Sequence, residues 1–209
     1  LVAYYAQRAA EYERIYARPE RQSELAALKT RMRKMFAGRK VLELACGTGY
    51  WTEVIAPAAA QCTAIDINEE VLKIARTKSY PEKRVSFVQG DCYAPPGAGR
   101  AHDALFAGFW WSHVPLAKLD AFLEKALLAV KPGGLIAFLD NNYVEGSSTP
   151  VAHRDADGNS YQLRTLEDGG ATLPDGGADP QFAWSHAAAA PVECALGGSL
   201  SMLISEPVN

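Results

Sequence analysis

Metal-binding and disulfide patterns are missing from this sequence. Its four cysteines, Cys46, Cys62, Cys92 and Cys194, form no CxxC pair and have no histidine at metal spacing, which excludes zinc-finger and disulfide frameworks and leaves no expected metal site. Such cysteine usage fits a reducing cytoplasm. No apolar run approaches the roughly 20 residues that a membrane helix needs. Arg8, Glu11, Glu13 and Arg14 stand where a secretory signal would be apolar. A soluble cytoplasmic protein without a membrane partner is expected. An excess of basic charge is also missing: 21 Lys and Arg face 24 Asp and Glu, for a net charge of −3. Nothing therefore draws the chain to phosphate backbones, and nucleic acid is not an expected partner. There is no internal repeat, and no feature that speaks to oligomeric state.

What remains is an ordinary globular composition, 48% hydrophobic and 22% charged over 209 residues, long enough for one well-buried core and short for two. Residues 1–209 are read as one domain. Its parts are an N-terminal helical segment (1–38), a core (39–142), and a C-terminal hairpin region with an atypical tail (143–209). Tyr5, Ala9, Tyr12 and Tyr16 recur three or four residues apart, as one face of a helix does. Pro19 is placed to open a second helix, with Leu25, Leu28, Met32 and Met35 or Phe36 inside and Gly38 just beyond its end.

From Lys40 the pattern alternates. Val41, Leu42 and Leu44 form a short strand that stops at Gly47, and a helix follows from Tyr50 to about Ala56. The same order recurs as strand 63–67, a helix from the cap Asn68 to about Lys78, strand 85–89, strand 103–107, helix 116–130 and strand 135–139. The last helix shows a stripe of Leu116, Leu119, Leu123, Leu127 and Val130, widened by Phe122 and Ala126, and Pro132, Gly133 and Gly134 end it. Such alternation predicts an α/β, Rossmann-like, mostly parallel sheet with helices on both faces. Further on, Asp157-Gly158 reads as a hairpin turn with 161–165 as its second arm. Residues 169–198 are rich in Ala, Gly and Pro, and Leu200 to Ile204 reads as a strand again.

The segment Glu43-Leu44-Ala45-Cys46-Gly47-Thr48-Gly49 ends a buried strand at two glycines, which lets backbone approach a ligand where a Cβ would obstruct it. Asp66 ends the next strand, 19 residues after Gly47, where a carboxylate can accept from both hydroxyls of a ribose. Together they indicate an adenosine-containing ligand. Position 52, where a dinucleotide fingerprint has its third glycine, is Thr52, which argues against a pyrophosphate. Glu43 lies inside an apolar run, so it needs a partner, either at a ligand or in an internal salt bridge.

The E-x-A-C-G-T-G run, the I-D-I-N strand end and the later G-D-C resemble motifs one to three of the class I S-adenosylmethionine (SAM)-dependent methyltransferases, over about residues 40–140. The resemblance implies a seven-stranded sheet ending in an antiparallel strand, with SAM as cofactor and S-adenosylhomocysteine (SAH) as product. It further implies that Ala45, Cys46, Gly47 and Gly49 border the methionine and ribose, that Glu43 organises the methionine end and that Asp66 holds the ribose. Asp91 would accept from the adenine amino group, with Ile67 or Cys92 packed on the ring. Tyr5 and Tyr12 look like part of a lid segment, though helix-face packing gives the same spacing.

Gly108-Phe109-Trp110-Trp111-Ser112-His113 follows the fourth strand at the same sheet edge. Two adjacent tryptophans cannot both face one core, so Trp110 or Trp111 is expected to line a pocket for a sulfonium or a flat substrate. Histidines exchange protons near neutral pH, which makes His113 the candidate general base. Asn141 and Tyr143, at the end of the fifth strand, are candidate substrate contacts. The expected function is methyl transfer to a small-molecule acceptor at oxygen, nitrogen or carbon. A non-catalytic SAM/SAH-binding module and an NAD-dependent oxidoreductase are the alternatives. In the tail, 200–204 is expected to fill the last-strand position, and 169 to about 180 to be a mobile loop.

Overall fold

The computed structural model describes residues 6, 8–17, 19–95, 99–141, 151–163, 178–180 and 200–205. A 3₁₀ turn at Tyr12–Tyr16 and another at Pro19–Arg21 lead into helix α1, Gln22–Phe36. The face predicted for α1 is the one it buries: Leu25, Leu28, Met32 and Phe36 are inside, and Gly38 turns away with φ +70°. The tyrosine-bearing segment differs from the expected single helix, because Tyr12–Tyr16 is a 3₁₀ turn.

Strands β1 (Lys40–Leu44), β2 (Gln61–Asp66), β3 (Val85–Gln89), β4 (His102–Gly108) and β5 (Val130–Asn141) alternate with helices α2 (Tyr50–Ile55), α3 (Glu69–Thr77) and α4 (Leu116–Ala129). They form a parallel sheet in the order β3-β2-β1-β4-β5, and β9 (Leu200–Ser205) adds antiparallel to β5. Two-residue periodicity divides the core. Val41, Ala104, Phe106 and Ala137 face α1 and α2 with Leu28, Phe36 and Ile55, while Leu42, Leu105, Ile136 and Phe138 face α4 with Phe122 and Ala126. Both faces are covered, which is why these strands read as continuous apolar runs.

Two expectations need correction. The buried stripe of α4 runs through Leu119, Phe122, Ala126 and Ala129, and Leu127 is 49% exposed. Leucine spacing alone put the stripe one position too far round the helix. The sheet has six strands among the described residues, five of them parallel. Ala178–Pro180, expected within a loop, is strand β8, which pairs with β7 (Ser160–Leu163) and through it with β6 (Val151–Arg154); residues 164–177 lie outside the described residues. The β6–β7 turn carries Gly158 at φ +86°. There Asn159 Oδ1 accepts from the Leu116 N–H at 2.8 Å, tying the turn to the start of α4.

Candidate active site

In a sheet of this order, β1 and β4 lie side by side while their connections leave in opposite directions, so a crevice opens beyond their carboxyl ends. A cavity of about 410 Å³ lies there. Ala45, Cys46 and Gly47 after β1, with Asp66 at the end of β2 and Ile67 after it, line one part of it. Asp91 and Cys92 after β3, Gly108 at the end of β4 with Trp110 and His113 after it, and Tyr12 from the N-terminal turn line the rest. Eleven positions singled out in the sequence thus meet around one space. Ten of them come together because each ends or follows a strand of the same parallel sheet, and Tyr12 is added by the N-terminal turn.

Asp66 is 7% exposed. Its Oδ2 accepts from the Gly47 N–H at 2.9 Å and its Oδ1 from the Asn68 N–H at 2.9 Å. Burial pushes its carboxyl above the ordinary value, and the backbone N–H groups of Asn68, Gly47 and Ile67 pull it partly back. An ionised carboxylate has about four acceptor sites, so each oxygen retains capacity for a hydroxyl. At Gly47, with φ +55°, an added Cβ would meet nothing within 4 Å. The Trp110 indole N–H has no hydrogen-bond partner among the described residues. An open glycine turn beside an under-used carboxylate fits an adenosyl group. Ala45 (φ +50°) and Phe109 (φ +57°) are non-glycine residues in the left-handed region, and both line the cavity, where strained backbone tends to collect.

Burial lifts the Cys92 thiol to about 12, with the Asp66 charge adding to it, and burial raises Cys46 well above its ordinary value. Both therefore stay neutral and act as small apolar walls.

Three sequence candidates lie off the cavity wall. Glu43 is 1% exposed and accepts from the Thr52 hydroxyl at 2.6 Å, with the Cys62 thiol at 3.8 Å. Burial raises its pKa to about 8. Glu43 therefore has a hydroxyl partner rather than a salt bridge, and that hydroxyl belongs to the residue that replaces the fingerprint glycine. Gly49, with φ +80°, supports the turn from outside, since an added Cβ would lie 2.5 Å from the Tyr80 hydroxyl. Trp111 packs on Phe138 with ring centroids 4.8 Å apart, so of the two tryptophans Trp110 faces the cavity. Tyr5 and Tyr143 lie outside the described residues. Asn141 ends β5, where it pairs with Leu200.

Sequence reasoning missed Tyr16, Trp51, Asn68, Tyr93, Phe109 and Lys118, which also line the cavity. Asn68 holds the N-cap position of α3 but makes no side-chain cap bond, and Trp51 and Lys118 read as ordinary helix residues. The position of Phe109 between Gly108 and Trp110 was the one usable signal. Asp140 was missed as well: it is 5% exposed and accepts from the Ser112 N–H at 2.8 Å. Phe138 and Asp140 share one face of β5 and fix the Trp111–His113 turn from below.

Fold and site together define an adenosyl-binding α/β protein, and comparison with known proteins narrows this. Residues 41–134 match the model of a methyltransferase domain family. The chain is 34% identical to DhpI in its complex with SAH, covering 77% of this chain and 76% of that one with a TM-score of 0.61. A complex of DhpI with SAM and HEP gives 34% identity and a TM-score of 0.60, over 76% of this chain and 77% of that one. A demethylmenaquinone methyltransferase from Staphylococcus aureus is 30% identical over 108 residues, which are 50% of this chain and 44% of that protein. The chain thus spans less than half the length of this curated relative. It belongs to the class I SAM-dependent methyltransferases. Among the described residues, no helix is long and apolar enough to cross a membrane.

Proposed function

We propose that this chain transfers the methyl group of SAM to a small-molecule acceptor in the cavity beyond β1 and β4. The observation that carries the reading is the convergence of the Gly47 turn, the Asp66 carboxylate and the Gly108–His113 segment on one space. The identity to DhpI, seen with SAH and with SAM and HEP, and the match to a demethylmenaquinone methyltransferase support it.

When bound, SAM supplies an activated methyl group for in-line displacement. Asp66 accepts from the ribose hydroxyls, and Asp91 accepts from the adenine amino group while Ile67 and Cys92 pack against the ring. Ala45, Cys46 and Gly47 border the methionine, and Gly108, where an added Cβ would lie 3.0 Å from the Phe106 ring and 3.1 Å from Trp51, lets the end of β4 pack closely behind the cavity wall. Tyr12 closes the space and excludes water, while Trp110 offers a ring face to the acceptor. His113, 7% exposed on the turn that Asp140 holds, takes a proton from an acceptor that must lose one. Glu43 and Gly49 act indirectly by shaping the glycine turn. Asn141 and Tyr143 remain candidate acceptor contacts, and a cytoplasmic location belongs to the same reading.

Calorimetry with SAH and with NAD tests the proposal. SAH is expected to bind and NAD not to; the reverse preference would move the chain to the oxidoreductases. SAH binding without methylated product from any member of a metabolite pool would favour a non-catalytic binding module.

A further inference from the structure

The two ends of the N-terminal 3₁₀ turn are held in different ways. At one end Tyr16, 5% exposed, lies flat on Tyr50 with centroids 3.8 Å apart and 9° between planes. The Gln22 side-chain amide donates to the Tyr16 carbonyl at 2.8 Å. At the other end stands Glu13. Thr48 Oγ1 donates to Glu13 Oε1 at 2.6 Å, and the Lys78 ammonium donates to the same oxygen at 2.5 Å and to Glu53 Oε2 at 2.8 Å. Thr48 lies 35 and Lys78 65 positions from Glu13, so the junction is purely tertiary. It joins the N-terminal turn to the glycine turn and to the end of α3. Thr48 is 2% exposed and lines the cavity, as do Tyr12 and Tyr16.

We propose that Glu13 is a clasp that holds the Tyr12–Tyr16 turn shut over the cofactor cavity and sets the rate at which SAM and SAH exchange. This rests on the reading of the cavity as the SAM site. Opening breaks the bonds from Thr48 and Lys78 while the turn pivots about the Tyr16–Tyr50 stack. The Lys78 side chain is only 15% exposed, and an ammonium left there without a carboxylate would be costly. Glu53 removes that cost, because it keeps Lys78 paired while Glu13 is away. Burial works against the Lys78 charge, but its bonds to Glu13 and Glu53 outweigh it and raise its pKa. The arrangement therefore closes firmly and still opens.

The two carboxylates then have opposite kinetic signatures. In stopped-flow displacement of SAH, Glu13→Ala is expected to speed release about tenfold, the scale of a lost charge-assisted hydrogen bond discounted for partial exposure. Glu13→Gln, which retains an acceptor, should fall between it and wild type. Glu53→Gln should leave release unchanged or slower, since Lys78 then loses its partner in the open state. Release from Glu13→Ala at the wild-type rate, or faster release from Glu53→Gln, overturns the clasp. A cofactor-free measurement separates this from the functional reading. Without SAH, backbone amides of residues 12–17 should exchange faster in Glu13→Ala than in wild type, with α1 unchanged. Unaltered exchange overturns the clasp even if SAH binds. A wild-type protein that fails to bind SAH overturns the cofactor reading, and the gating role with it.

Discussion

Asp66 shows how one residue carries both structure and binding. Its bonds from Gly47 and Asn68 fix the turn, and its remaining lone pairs face the cavity. Asp66→Ala removes charge-assisted bonds worth roughly 1.5–3 kcal/mol each, so SAH affinity is expected to fall at least about tenfold. His113→Ala should show the complementary pattern, with SAH affinity retained and turnover lowered by about 10² to 10⁴. Calorimetry and a turnover assay on the two folded variants check both, and an unchanged SAH dissociation constant in Asp66→Ala would refute its assignment. Asp66 was legible in the sequence because a strand end followed by a cap has a recognisable local pattern. The partner of Glu43 was not legible, because the Thr52 hydroxyl reaches it only when α2 packs on β1.

At the scale of elements, the burial of Glu43 where α2 packs on β1 makes that packing sensitive to pH, and the bond from Thr52 offsets only part of the effect. The folded-state pKa of Glu43, about 8, lies above the ordinary 4.5, so the folded chain holds a proton that the unfolded chain releases. The associated stability is fully present below about pH 4.5 and is lost as pH rises to about 8. Glutamine keeps the shape and an acceptor for Thr52 but has no proton to lose. Glu43→Gln should melt close to wild type in mild acid and increasingly above it as pH rises, with the gap levelling off beyond about pH 8. Thermal melts across this range check it, and a constant difference would mean that Glu43 is ionised throughout. The α4 helix carries a related lesson. Its existence followed from its apolar period, whereas its rotation was decided by which residues meet Ile136 and Phe138.

For the whole molecule, the decisive contact is β9 on β5. Leu200 to Ser205 pairs antiparallel with Asn141 to Ile136 and covers an edge of the parallel sheet that would otherwise present unpaired N–H and C=O groups. Amides of β9 are expected to resist hydrogen exchange nearly as well as those of Leu135 to Leu139. A chain cut before Leu200 should lose thermal stability or aggregate; free exchange in β9 together with an unchanged melting point would contradict the pairing.

The sequence by itself determined the alternation of strands and helices, the glycine turn, the ribose carboxylate and the strand ends that carry the site. These features are local: each rests on periodicity or on residues adjacent in the chain, and a parallel sheet gathers its strand ends at one edge. Tertiary structure alone decided that Trp110 and not Trp111 faces the cavity, that Thr52 answers Glu43, that Asp140 holds the turn bearing His113, and that Glu13 meets Thr48 and Lys78. Each of these contacts joins residues of different elements, and its geometry depends on how those elements pack, information that no window of neighbouring residues contains.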